Sequence, residues 1–417
     1  MPVIQHPASG SLRSIPQQHA FPVVCNIGPS FHGRRHMHRI RVLAAIASCV
    51  TFGLCAEEGL RMYIGTYTGK QSKGIYVCDF DPATGKLGEV QLAVETPNPT
   101  FLALHPNGKY LYSANEIGKF EGRDTGCISA FAIDPATGLL KLLNAQPSMG
   151  RGPCHVAVAP NGKHLVGANY GEGSICAIPI GEDGSLDVPT AGIRHSGAPG
   201  PNKGRQEKPH AHSTNFDPSG RFVFAADLGL DRIFIYDLDA SRGTLAPHTP
   251  PAVAAAPGAG PRHLCFHPNS RFAFVVNELN NTVTAYRFDA EKGTLTEVQS
   301  IGTLPAGFAA KNTTAEVLVH PSGRFLYASN RGHDSIAIFK LDAETGKLTA
   351  AGHQASGGKT PRNFNLTPDG RWLIAANQDS DNVCVFRVDE TTGALAPTEH
   401  SRSIEKPVRV LFAAHPG

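Results

Sequence analysis

A single phrase returns six times along this chain and leaves few folds open to it. It reads HPNGKYLYSANE at His105–Glu116, APNGKHLVGANY at Ala159–Tyr170, DPSGRFVFAADL at Asp217–Leu228, HPNSRFAFVVNE at His267–Glu278, HPSGRFLYASNR at His320–Arg331 and TPDGRWLIAANQ at Thr367–Gln378. The shared prolines, Pro106, Pro160, Pro218, Pro268, Pro321 and Pro368, stand 54, 58, 50, 53 and 47 residues apart. Short apolar runs and turn residues at that period specify a radial β architecture, because one such unit cannot bury its apolar face alone and must stack on its neighbours.

Each repeat holds four β-rich runs broken by Gly, Pro, Asn and Asp, the grammar of one propeller blade. A second turn, of the Asp-Pro-Ala-Thr-Gly type, counts the blades: Asp81–Gly85, Asp134–Gly138, Glu182–Gly184, Asp239–Gly243, Asp289–Gly293, Asp342–Gly346 and Asp389–Gly393 make seven. The first blade enters at Arg61–Tyr67, which matches a second strand, and so lacks its innermost one. The last segment, Pro407–Pro416, reads as an innermost strand with nothing after it. The expected fold is therefore all-β, a seven-bladed β-propeller over residues 61–417, closed by pairing the C-terminal strand with the N-terminal blade. Closure also removes two sheet edges that would invite aggregation.

Composition narrows the partners. A net charge of +3 and no basic run interleaved with aromatics argue against a nucleic-acid partner. The nine cysteines include no CxxC and no Cys/His pairing at zinc spacing, so no metal and no cofactor are expected. Those within the repeats read as buried free thiols. Residues 1–60 form an N-terminal extension. Within it, basic Met37–Arg41 precedes the apolar run Val42–Ala56 and then Glu57 and Glu58, the pattern of a signal peptide over 37–56. The run is too short to span a membrane comfortably, so no stable membrane insertion is expected. If it is a signal, the protein is exported and translation from Met37 would explain the polar stretch before it; otherwise the protein is cytoplasmic with an N-terminal extension. Oligomeric state is left open.

The repeat also locates a candidate site. The start of each innermost strand and the end of its antiparallel partner lie on one face of the disc. Counting back six residues from each repeat proline gives Thr100, Cys154, His212, Arg262, Ala315 and Arg362, with Arg409 from the C-terminal strand after allowing one extra residue. Counting forward ten gives Glu116, Tyr170, Leu228, Glu278, Arg331 and Gln378, with Tyr67 from the first blade. A scaffold repeat converges on one residue type, as the prolines and glycines do here. A varied, charged series at one mouth marks a working surface. The long Gly/Pro-rich insertion His195–His212 ends at the same mouth and would hang Arg205, Gln206 and His210 over the axis.

These residues carry a resemblance. The phrases Met62–Thr68, Arg205-Gln-x-x-Pro-His-Ala-His212, Gly260-Pro-Arg-His-Leu-x-Phe-His-Pro268, Val276–Asn280 and Ser329–Arg331 are similar to the seven-bladed lactonase family, which includes bacterial propeller-type 6-phosphogluconolactonases and fungal carboxy-muconate lactonizing enzymes. The resemblance covers residues 60–416 and implies a hydrolase opening a small anionic sugar lactone, 6-phosphogluconolactone first, in carbohydrate metabolism and the pentose phosphate pathway. In the muconate branch the proposed active site is one His, two Arg and one Glu, which motif matching places on His212, Arg262, Glu278 and Arg331. Water attack on a lactone needs a base, stabilisation of the oxyanion and a proton for the leaving oxygen. His212 suits the base. Arg262 and Arg331 suit the oxyanion or a substrate anion. Glu278 either orients a neighbour or exchanges the proton itself. Arg205, Gln206, His210, Arg362, Arg409 and Glu116 are candidates for substrate binding. No Gly-x-Ser-x-Gly elbow is present to suggest a covalent serine. A cycloisomerase running on the same residues, another exported lactonase, or a non-catalytic propeller binding a ligand or protein are the alternatives.

Overall fold

The computed structural model describes residues 59–414, which form seven four-stranded antiparallel sheets with no helix among them. The segment 37–56, read above as a signal, lies outside the described residues.

Blade one runs Pro407–Ala414, Leu60–Thr66, Gly74–Phe80, Gln91–Glu95 from the axis outward. The C-terminal strand pairs with the N-terminal one from Leu60 opposite Ala414 to Thr66 opposite Pro407. The other six innermost strands are Pro99–Leu104, Pro153–Val158, Ala211–Phe216, Pro261–Phe266, Thr313–Val319 and Pro361–Leu366. Each packs on the next, and Pro99–Leu104 packs on Pro407–Ala414, so the ring is closed. Five of the seven open on proline, tolerated at the first residue of a strand where its missing N–H costs no ladder bond.

The core is divided among the interfaces between blades. Seven apolar clusters each join two neighbouring blades. One brings Phe272, Phe274 and Val276 of blade five against Leu326, Ala328 and Phe339 of blade six. Another closes the ring with Met62, Ile64 and Phe80 against Trp372, Ile374 and Val385. A blade's second strand is therefore covered on both faces. This is why Phe222–Asp227, Phe272–Asn277 and Trp372–Asn377 are buried at every position rather than at alternate ones. The repeat histidines tie the turns together: His105, His267 and His320 bond through Nε2 to the backbone oxygens of Gly162, Gly323 and Gly370 in the following blade.

Candidate active site

Six of the seven innermost strands carry a bulge at their second residue. Pro99 faces Asn115 while Phe101 faces Ala114, leaving Thr100 extra. The same slip frees Cys154, His212, Arg262 and Arg362. In the sixth blade it frees both Ala315 and Glu316, between Thr314 and Val317. A bulge adds an unpaired residue and re-aims its side chain. The residue just before or at the bulge serves one end of the channel, and the residue after it serves the other.

At the near end, bulge residues Cys154, His212 and Arg362 join the ends of the second strands, Tyr67, Glu116, Tyr170, Glu278 and Arg331. With Arg205, Lys311 and Thr313 they enclose a cavity of about 390 Å³. Four cations (Arg205, Lys311, Arg331, Arg362) stand against two carboxylates (Glu116, Glu278), so the cavity is built for an anion.

Glu278 is its hub. Oε2 accepts from Nε of Arg262 at 2.9 Å and lies 2.9 Å from Nη2 of Arg331, while Oε1 accepts from Nη2 of Arg205 at 2.5 Å. Burial alone would raise its pKa. Arg331 and Arg262, with Arg205 behind them, outweigh burial and hold the carboxyl well below its usual range. Glu278 is thus a fixed negative charge that aligns three guanidinium groups.

His212 is buried, and burial first, then the charge of Arg262, push its pKa well below the ordinary imidazole value. It is neutral at pH 7. Its Nδ1 lies 3.7 Å from Sγ of Cys154, whose thiol donates to the His212 carbonyl at 3.3 Å. With the thiol proton on that carbonyl, the sulfur is free to accept from Nδ1–H, the tautomer that leaves a lone pair on Nε2. Nε2 stands 3.9 Å from Oε2 of Glu278, beyond direct hydrogen-bond reach. The Cys154/His212 contact has the look of a nucleophilic dyad, but burial pushes the thiol up to about 12, so it carries no thiolate at neutral pH.

Of the residues expected at this mouth, Arg205, His212, Glu278, Arg331, Arg362 and Glu116 line the cavity. Glu116 is occupied: Oε2 accepts from Tyr67 Oη and Thr100 Oγ1, both at 2.8 Å. Arg362 donates from Nη2 to Tyr67 Oη at 3.1 Å, with its guanidinium 5.4 Å over the Tyr67 ring. Arg331 donates to the Thr314 carbonyl at 2.8 Å.

Four residues stand elsewhere. Arg262 lies one step below the wall, 2 % exposed, with Nη1 donating to the Ala315 carbonyl at 2.7 Å and to Nε2 of His263 at 3.1 Å. It positions Glu278 rather than facing the cavity. Gln206 is fully buried beneath the insertion and donates to the Leu228 carbonyl and to Asp231, at 2.8 and 2.7 Å. It anchors the loop that presents Arg205. His210 is buried too, stacked on Tyr170 and bonded to the Tyr170 carbonyl and Glu207. Arg409 belongs to the other end of the channel. In the closing strand Gly65 faces Arg409 and Thr66 faces Pro407, so the bulge residue is Val408 and Arg409 follows it.

Tyr67, Cys154 and Tyr170 stood in the two counted series without an assigned role. Lys311 and Thr313 did not: Lys311 comes from the connection after Thr294–Gly302, and Thr313 opens the innermost strand of blade six, ahead of the counted position. The length of that connection, with a lysine near the strand it leads into, was the signal available. Among the described residues no group of His, Cys, Asp and Glu is placed to hold a metal ion.

A ring of arginines organised by one carboxylate, around a neutral histidine on the axis of a seven-bladed propeller, defines a class. The family model described as "Lactonase, 7-bladed beta-propeller" matches residues 61–412, and the chain belongs to that family. A protein named 6-phosphogluconolactonase from Bacillus subtilis is 38% identical over 302 residues, 72% of this chain and 83% of that protein. Another of that name from Formosa agariphila is 37% identical over 73% of this chain and 86% of its own length. Among solved structures, a putative 6-phosphogluconolactonase from Bacteroides fragilis superposes with a TM-score of 0.80 at 38% identity, covering 86% of this chain and 99% of its own. The periplasmic gluconolactonase of Pseudomonas aeruginosa does so with a TM-score of 0.81 at 31% identity, over 86% and 100%.

Proposed function

We propose that this protein hydrolyses 6-phosphogluconolactone to 6-phosphogluconate at the near end of its channel. The observation that carries the reading is the pairing, in one cavity, of a neutral His212 whose Nε2 is free with arginines held by Glu278. A binder of anions needs the cations but has no use for the base.

His212 Nε2 takes a proton from water as its oxygen attacks the lactone carbonyl. The oxyanion that forms is met by Arg331 and Arg362, which are fixed before the reaction and need no reorganisation. The ring C–O bond then breaks, and the imidazolium returns its proton to the leaving ring oxygen. The product acid ionises in solvent. Glu278 stays ionised throughout and keeps the guanidinium groups in register. Arg205 and Lys311, at the cavity rim, are suited to the substrate's phosphate.

A second substrate, the unphosphorylated gluconolactone, is favoured by two observations. The segment 37–56 reads as a signal peptide, and one similar structure is a periplasmic gluconolactonase. Hydrolysis of freshly prepared lactones, with and without the phosphate, by the full-length protein decides between them against the spontaneous rate. Acceleration of the phosphorylated substrate alone supports the first reading, and preference for the free lactone supports the second. Acceleration of neither by a folded protein removes both. Fractionation of the source cells tests export directly.

A further inference from the structure

Arg409 takes no part in the near cavity. It sits on the floor of a second cavity of about 350 Å³ at the far end of the channel, formed by residues that follow the bulges: Phe101, His155, His263, Glu316 and Arg409 itself. The walls beyond this floor are mostly apolar, with Leu104, Ala157, Leu318 and Leu411 half-buried where the cavity opens toward the opposite face and Asn215 the one polar side chain among them.

The hydrogen bonding of this floor is unevenly spent. Glu316 is satisfied by neutral donors: Nδ1 of His263 and the Val317 amide reach Oε1 at 2.9 and 3.0 Å, and Asn363 Nδ2 donates to Oε2. Arg409 Nη1 stands 3.8 Å from Glu316 Oε2, beyond hydrogen-bond distance. Its Nε donates to the Leu102 carbonyl at 3.3 Å, and Nη1 and Nη2 donate to no described residue. The guanidinium plane is fixed 4.1 Å over the Phe101 ring. The Arg409 side chain is 13% exposed, so the open donors face the cavity and are free to pair with an anion there. A rigid planar fork with two free amino groups matches a carboxylate in bidentate fashion. Apart from Asn215 the walls offer a polyol no side chain to bond, so the body of the occupant is mainly apolar.

We propose that the far end of the channel is a binding site for a small monocarboxylate with an apolar body, held by Arg409 against the Phe101 ring. The cavity falls in the size range of small-molecule sites, roughly 300–1,000 Å³. The proposal does not depend on the lactone reading.

Calorimetric titration of the full-length protein with benzoate, and with benzamide as its neutral isostere, tests it. Benzoate should bind saturably and benzamide at least about tenfold more weakly, the loss expected when a charge-assisted pair is removed. Binding should vanish in Arg409→Gln and in Ala157→Leu, which fills the apolar wall, and persist in Arg362→Gln, which removes a near-cavity cation. If Arg409→Gln does not fold, Ala157→Leu and the isostere pair still decide. Absence of saturable binding, equal binding of benzamide, or a loss that follows Arg362→Gln instead of Arg409→Gln or Ala157→Leu would overturn the proposal.

Discussion

The two ends of the channel are lined by neighbouring residues of the same strands, and each holds one buried carboxylate with opposite character. At the near end Glu278 is gripped by Arg262, Arg331 and Arg205 and stays ionised far below its usual pKa. At the far end Glu316 is bonded by His263, Asn363 and a backbone amide, and burial, the largest influence there, pushes its pKa up. Guanidinium groups in direct contact outweigh burial at Glu278, whereas at Glu316 the more distant Arg409, 3.8 Å away, and Arg262 do not. The step between them is one residue along a strand: Arg262 reaches the near hub and His263 the far one. A bulge repeated around the ring thus gives the two ends of the channel different linings from adjacent residues of the same strands.

Substitutions at matched positions can break this contrast. The largest effect on turnover is expected from His212→Ala, which removes the base and should lower kcat about 10²–10⁴-fold with the fold intact by circular dichroism. His155→Ala, at the far end, should leave kcat within about tenfold, since it touches no reacting group. Equal losses in the two variants would erase the distinction between the ends.

The carboxylates come next. Glu278→Gln leaves three guanidinium groups without their counter-charge and should cost about 3–5 kcal/mol in denaturant unfolding. Glu316→Gln keeps an acceptor for His263 and the Val317 amide but turns an NH2 toward Asn363 Nδ2, and should cost about 1–3 kcal/mol.

The buried histidines supply a pH test. His155, His212 and His263 are each held well below the ordinary imidazole pKa, burial being the first cause. Below about pH 6.5 the unfolded chain takes up protons that the folded one refuses. Stability should therefore fall with pH at about 1.4 kcal/mol per unit for each histidine. Glu316, raised in the folded state, gains stability as pH falls toward its unfolded value and offsets part of this. Thermal unfolding scanned from pH 7 to 5 should show Tm dropping, and a flat profile would mean that these rings protonate freely in the fold.

Smaller still is the effect of Arg205→Ala, the rim cation on the anchored loop. It should raise KM about tenfold with kcat little changed, the mark of a group that binds the anionic tail rather than the reacting centre. Least affected should be Cys154→Ser, with kcat within about threefold, because a hydroxyl can accept the same Nδ1–H. A collapse in Cys154→Ser activity would restore the thiol as a nucleophile.

Much of this was legible in the sequence, for a physical reason. The repeat phrases specify turns and strands that must stack, so blade number and closure by Pro407–Ala414 followed from counting. His212, Glu278, Arg331 and Arg362 were legible because their strands share one length between landmarks. Seven residues separate Pro99 from Pro106, Pro261 from Pro268 and Pro361 from Pro368. Nine separate Pro407 from Pro416, so counting back from the turn misplaced Arg409 by one residue. Counting forward from the strand's own proline reaches Val408, the true bulge position. Gln206 and His210 failed for another reason: a loop must bury some of its polar side chains to hold its shape, and sequence does not say which. Lys311 lies in a connection outside the period and had no landmark, and Thr313 was missed because it opens its strand two residues ahead of the bulge at Ala315, off the counted position.

The most direct test of the account is the crystal structure of the full-length protein in complex with 6-phosphogluconate. The account predicts the product in the near cavity, its carboxylate beside His212 and Arg331 and its phosphate toward Arg205 and Lys311, with the far cavity free of it. Product bound at the far end, or outside the channel, would contradict the assignment of hydrolysis to the near mouth.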